Sequence, residues 1–234
     1  IIGSHQRASA ALDNPYLQSY IMPITIDGKR CIDECIRPTM NEKLLSRMKP
    51  LLGADSITNA GNACLTHDGA AFVYLSNKKG PFKIHSVKPW AGNPQFSPEG
   101  ALESTEGILK RTGLTMDDID VVEWNEAFAI IDVLFNKAYP NHIKKYNMLG
   151  GALAYGHPYG CSGAITQYVA PNNVSQRVVK TVNTLFVPSI LKSTFAPIDL
   201  PIQLRCICFV ASGQSKSSKS ANNLSAYSVI FKTH

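Results

Sequence analysis

Five glycines fall within residues 147–163, Asn147-Met-Leu-Gly150-Gly151-Ala-Leu-Ala-Tyr-Gly156-His157-Pro158-Tyr-Gly160-Cys-Ser162-Gly163. So many residues without a side chain weaken any regular element, and they let backbone or ligand approach closely. The segment therefore reads as a tight loop that leads into a helix at its Gly163 end. His157 stands inside it, and Pro158 stiffens the turn beside it through its fixed φ. Imidazole is the side chain best suited to moving a proton near neutral pH. By spacing alone, the run is an active-site loop with one acid/base group.

The remainder of the chain has the bulk to support such a loop. Its 234 residues are 44% hydrophobic and 17% charged, which suits a globular chain with a sizeable core. No run of about 18 apolar residues occurs, so no membrane-spanning helix and no membrane partner are expected. The net charge of +6 has an uneven source: residues 1–170 carry 16 basic and 16 acidic groups, whereas 171–234 carry seven basic residues against Asp199. A basic tail suits nucleic acid or anionic lipid. No nucleic-acid motif accompanies it, and no nucleic-acid partner is expected. The six cysteines, at 31, 35, 64, 161, 206 and 208, fit no zinc spacing, so no metal site is expected. Scattered thiols point to a reducing compartment, taken as the cytoplasm, with mitochondrion and peroxisome left open. The opening Ile-Ile-Gly-Ser-His shows no signal-peptide pattern and suggests a piece of a longer or processed product.

Periodicity alternates between the two regular elements. An alanine-rich helix is expected over 1–20, followed by a short strand at 21–26 and a turn at Gly28. Asn41 to Lys49 reads as a helix with Pro50 past its end. Strands are expected at 70–76 and 82–87. A helix is expected over 98–112 with Ser97 as N-cap and Pro98 in its first turn. Thr115-x-x-Asp118 has the form of a capping box. Ile119 to Trp124 is a strand, Glu126 to Lys137 a helix, and Gly163 to Ala170 another. Beyond Pro171 the pattern weakens, and Ser212 to Ser228 is loop-like in composition. Strands alternating with helices imply a layered α/β architecture.

Asn125-Glu126-Ala127-Phe128-Ala129 lies at a strand-to-helix junction, where Asn125 suits a helix cap. This pentapeptide and the glycine–histidine loop both resemble the signatures of the thiolases, enzymes that make and break carbon–carbon bonds between coenzyme A thioesters. The resemblance implies that His157 and Asn125 are catalytic, with Asn125 holding a water that joins His157 in stabilising an enolate oxygen. A cap and a water-holder are compatible roles. A third block, Thr58-Asn59-Ala60-Gly61-Asn62-Ala63-Cys64-Leu-Thr-His-Asp68-Gly69-Ala70-Ala71, resembles the family segment that lines the pantetheine arm. By that resemblance Ala60 and Cys64 bind coenzyme A. Cys64 replaces a serine and Asn59 a threonine, which weakens a hydroxyl contact. Asp33-Glu34-x-x-Arg37-Pro38 resembles the stretch whose arginine faces the nucleotide, and a guanidinium suits adenine and phosphate. A solvated surface arginine is the competing reading.

The resemblance also implies what is missing. The acylated cysteine of the family lies before the segment matching Ile1, and Cys31, Cys35 and Cys64 stand in the wrong context to replace it. Cys208 is the candidate for the second catalytic cysteine, ahead of Cys206, although the glycine two positions later is absent. Cys161 is assigned to packing. The resemblance covers about residues 1–168. It implies a thiolase-like layered αβαβα fold: residues 1–86 end the N-terminal domain, and 87–234 form the C-terminal domain with a tail diverging from about 171. The implied activity is acyl transfer between a 3-oxoacyl-CoA and coenzyme A, these being substrates, with no cofactor. A homo-oligomer is expected, and the isolated chain is expected to be inactive for want of its nucleophile. The alternatives are a non-catalytic thiolase-like protein that binds acyl-CoA, lipid or a partner subunit, and a related condensing enzyme such as a ketoacyl synthase.

Overall fold

A computed structural model describes residues 1–18, 24–30, 34–67, 69–76, 82–172, 180–188, 203–209 and 224–233. The buried strand β5 (Val121–Trp124) organises it, since all four of its residues are withdrawn from water. Alternation along a strand places Val122 and Trp124 on one face. There they meet Ala101, Ile108 and Leu109 of helix α4 (Glu99–Thr112) and Ile131 and Phe135 of α5 (Ile130–Ala138). Trp124 meets Phe135 edge-on at 5.2 Å, and Phe135 stacks on Tyr146 at 4.1 Å. Each large apolar side chain so buried is worth about 1.5–3 kcal/mol, so this cluster anchors the fold.

The sheet is mixed and runs in the order β3-β7-β4-β8-β6-β5. Its members are β3 (Ala70–Ser76), β4 (Phe82–Trp90), β6 (Lys180–Pro188), β7 (Gln203–Phe209) and β8 (Leu224–Thr233), beside β5. Only β5 and β6 pair in parallel; the other neighbours are antiparallel. Helix α7 (Tyr159–Asn172) and α4 pack on this sheet. Outside it, α1 (Ile2–Ala11) buries Ser4, His5, Ala8 and Ala11 on one face, and α6 (Ala152–Tyr155) packs against it.

Several expectations require correction. The N-terminal helix stops at Ala11, and a separate turn α2 (Pro15–Gln18) follows. Of the strand expected at 21–26, residues 21–23 lie outside the described residues; β1 (Thr25–Ile26) pairs with β2 (Lys29–Arg30) across Asp27-Gly28. Asn41 does cap a helix, accepting from the Leu44 N–H, but α3 is only Glu42–Leu45. Pro50 biases its predecessor away from helix, and Leu51 N–H turns instead to the Thr58 carbonyl at 2.8 Å. Ser97 is not a cap. Asn93 caps a 3-10 turn, Pro94–Phe96, that runs directly into α4, so Ser97 is already helical and Pro98 takes the N-cap position. Helix α7 begins four residues before Gly163 and continues through Pro171. The tail holds three strands where no pattern was expected, although 210–223 lie outside the described residues.

The capping box is present: the Asp118 carboxylate accepts from the Thr115 N–H at 2.9 Å and its hydroxyl at 2.8 Å. Asp118→Ala removes both and is expected to lower stability by about 1 kcal/mol in urea unfolding, with β5 and α4 intact by circular dichroism.

Candidate active site

Residues 59–67 form a spine that joins the two signature loops. On one side Asn62 carbonyl accepts from Ala129 N–H at 2.9 Å, and Cys64 N–H donates to the Ala127 carbonyl at 3.0 Å. On the other, His157 N–H donates to the Leu65 carbonyl at 2.8 Å, and His67 N–H to the His157 carbonyl at 3.4 Å. This pairing explains why α5 starts at Ile130 rather than Glu126, since the Ala127 carbonyl and the Ala129 N–H are engaged by the spine instead of by a helix. Asn125 is therefore no helix cap; Ala129 holds that position.

The side chain of Asn125 faces His157 instead. Its Nδ2 lies 3.4 Å from His157 Nε2, and both residues are buried. His157 Nδ1 lies 2.6 Å from Ser162 Oγ on the first turns of α7. Burial pulls the His157 imidazole down to about 4, so it is neutral at physiological pH. One hydrogen arrangement has Nδ1–H donating to Ser162 and the Asn125 amide donating to a bare Nε2. Turning the amide and reversing the hydroxyl gives the other, with the proton on Nε2. With the proton on Nε2 and the amide nitrogen left where it stands, 3.4 Å away, Nε2–H and Nδ2–H can instead both turn to a single oxygen set between them, which is the requirement of an oxyanion site.

Neither loop stands alone. Asn147, at φ 40°, clamps the end of β5: its Oδ1 accepts from the Trp124 N–H at 2.8 Å and its Nδ2 donates to the Trp124 carbonyl at 2.9 Å. The same Nδ2 donates to Glu126 Oε1 at 2.8 Å. Helix α1 completes the set. Ser4 Oγ donates to Glu126 Oε2 and accepts from Gly151 N–H at 3.1 Å, while Arg7 Nε donates to the Asn147 carbonyl at 2.7 Å. Ser4 thus ties α1 to both signature loops. Arg7, Glu126, Asn147 and Ser162 were not singled out from sequence. Glu126, Asn147 and Ser162 lie inside the motifs, but nothing in the alanine-rich first helix marks Arg7.

Cys64 sits on the spine, its N–H used by Ala127, and burial pushes its thiol up to about 12. A thiol so disfavoured as thiolate is a poor nucleophile. Ala60 is exposed at the spine's start. Arg37 is exposed, its guanidinium turned to the carbonyls of Glu34 and Ile36. Cys161 is buried, with Sγ donating to the Pro158 carbonyl at 3.3 Å, as packing requires. Cys208 pairs with Ala71 and Cys206 with Val73 across β3 and β7, so both occupy one face of β7 and register does not separate them. Cys31 lies outside the described residues.

Family models place these loops in context. Residues 1–79 match the thiolase N-terminal domain and 81–185 the thiolase C-terminal domain. The chain belongs to the thiolase family. It is similar to an acetyl-CoA acetyltransferase of Synechocystis, 33% identical over 175 residues, covering 69% of this chain and 44% of the relative. The human mitochondrial 3-ketoacyl-CoA thiolase gives the same figures. The chain thus spans less than half the length of these relatives. In fold it is similar to the crystal structure of that human enzyme in complex with CoA, with TM-score 0.69 at 22% identity, covering 100% of this chain and 53% of that one. The dimeric peroxisomal thiolase of Saccharomyces cerevisiae gives TM-score 0.71 at 23% identity, with 100% and 53% coverage. The expected thiolase-like α/β fold is therefore correct. Among the described residues no helix is long and apolar enough to cross a membrane.

Proposed function

We propose that this chain carries the enolate-stabilising part of a thiolase-type acyltransferase, which exchanges acetyl or acyl groups between a 3-oxoacyl-CoA and coenzyme A by thiolysis or Claisen condensation. The observation that supports it is the convergence of three separate motifs on one spine, which sets a neutral His157 against the Asn125 amide at 3.4 Å. In this reading His157 and Asn125 polarise the thioester oxygen, and Cys208 exchanges the proton at the reacting carbon. Arg37, Ala60 and Cys64 border coenzyme A. The boundary at 86/87, a homo-oligomeric assembly like that of the dimeric yeast relative, and a reducing compartment belong to the same proposal.

Neither side-chain hydrogen-bond partner of the His157 imidazole, Asn125 or Ser162, is a thiol. The 234-residue chain alone is therefore expected to bind acetoacetyl-CoA without thiolysing it. Its donor pair should still raise the enolate fraction of the bound ligand, seen in the ultraviolet spectrum, and Asn125→Ala should cut that fraction at least about tenfold. Thiolysis by the wild-type chain would overturn the inactivity. Binding without any enolate signal would favour the non-catalytic acyl-CoA-binding reading, and no binding would defeat both.

A further inference from the structure

We propose that Cys35 and His67 form an activated thiol, a modification site for small soft electrophiles set directly beneath the loop that carries His157. Cys35 Sγ lies 2.9 Å from His67 Nε2, and both side chains are buried. The other ring nitrogen decides the chemistry. His67 Nδ1 lies 3.0 Å from the Leu65 carbonyl, which can only accept, so Nδ1 carries the ring hydrogen. Nε2 is then left bare toward the sulfur and takes the thiol proton. A base held in one tautomer by a third group, and facing a nucleophile, is the general arrangement of an activated thiol.

The ring is also locked in place. A Cβ built on Gly156 would lie 2.0 Å from His67 Nδ1, so the glycine backbone rests against the imidazole and blocks its rotation. Among the described residues, the charged and titratable groups around the pair are Glu34 and Arg37 beside Cys35, His5 on α1, and His157 and Cys161 on the loop packed over His67. His5 Nδ1 accepts from the Arg37 N–H at 3.2 Å. The partner of His67 Nε2 is the Cys35 sulfur. Cys35 is only 7% exposed, which restricts its partners to small reagents. With iodoacetamide, the sulfur lone pair forms the new C–S bond, iodide leaves with the electrons of the C–I bond, and the thiol proton passes through His67 to solvent. His67 N–H donates to the His157 carbonyl at 3.4 Å, so a group added at Cys35 acts on the segment that holds His157. This chemistry is independent of acyl transfer.

The full chain is treated with limiting iodoacetamide at pH 7, and each cysteine peptide is followed by mass spectrometry. Cys35 is expected to be alkylated at least about tenfold faster than Cys64 or Cys161, although it is less exposed than Cys64 and about as buried as Cys161. His67→Asn should bring Cys35 down to within about twofold of Cys64, with the Cys64 and Cys161 rates unchanged as an internal check of folding. If the variant unfolds, all three rates rise together and the wild-type ratio decides. A wild-type ratio at or below one, or a Cys35 rate indifferent to His67 in a folded variant, overturns the proposal.

Discussion

Gly156→Ala is expected to remove the native fold, with a loss of at least about 4 kcal/mol in urea unfolding. Two costs coincide at this position. The backbone φ is +90°, a conformation that side chains with a Cβ rarely adopt. The new methyl would also fall 2.0 Å from His67 Nδ1 and 2.3 Å from its Cε1. The ring cannot yield cheaply, because Leu65 and Cys35 hold its two nitrogens. Overpacking against a pinned side chain costs about 1–3 kcal/mol before backbone strain is added. Gly160→Ala is the matched control, four residues on. Its Cβ would meet nothing within 4 Å, and it lies in the first turn of α7, so it should stabilise by about 0.5–1 kcal/mol. If Gly156→Ala unfolds within about 1 kcal/mol of wild type, the close packing of loop on ring is refuted.

That contact also shows where sequence reading stops. His157, its glycines and Asn125 were legible because proton transfer and close approach demand particular residue types within a few positions of each other. Their partners were not. His67 reaches Gly156 and Cys35 only through the fold, and Cys35 carries no local mark of its neighbour. Asn125 illustrates a subtler failure: local propensity offers it as a helix cap, yet tertiary pairing of Ala127 and Ala129 with the spine delays α5 and frees its amide for His157. The fold class followed from alternating periodicity, and β5, α4 and the capping box came out near their expected places. Strands β6 and β7 lie beyond Pro171, where Pro188, Pro197 and Pro201 break up the pattern and hide them. Pro188 in fact ends β6, and its effect does not extend back to Lys180. Four of the nine residues of β6 are β-branched, Thr181, Val182, Thr184 and Val187, a local signal that the proline reading overrode.

Arg7→Ala is expected to cost about 3–5 kcal/mol near pH 8, and distinctly less at pH 5. Arg7 is the cation of a buried acidic cluster. Its Nη2 lies 3.3 Å from Glu126 Oε1, and Glu126 is wholly buried. Glu123 and Asp132 stand nearby, each with a buried carboxylate oxygen lacking a hydrogen-bond partner. Burial first, and then the Glu126 charge, raise Asp132 to about 8 and Glu123 well above the ordinary carboxylate range, while Arg7 pulls both back. A carboxyl raised in the folded state binds more protons there than in the unfolded chain. Its contribution is therefore fully present below its ordinary value near 3.8 and is lost as pH rises through about 8. Removing Arg7 makes that loss steeper, because the charged forms then have no cation beside them. His157 has the opposite sign: lowered to about 4, it withdraws stability as pH falls from 6.5 toward 4. It does so equally in wild type and variant, and the difference between them isolates the cluster. Arg7→Lys should recover only part of the loss, since a single ammonium cannot serve both the Asn147 carbonyl and Glu126 with the guanidinium's fixed fork. Urea unfolding of the three proteins at pH 5 and pH 8 measures this. A deficit for Arg7→Ala that is below about 1 kcal/mol, or equal at the two pH values, would mean that α1 does not hold the Asn125 and His157 loops together through charge.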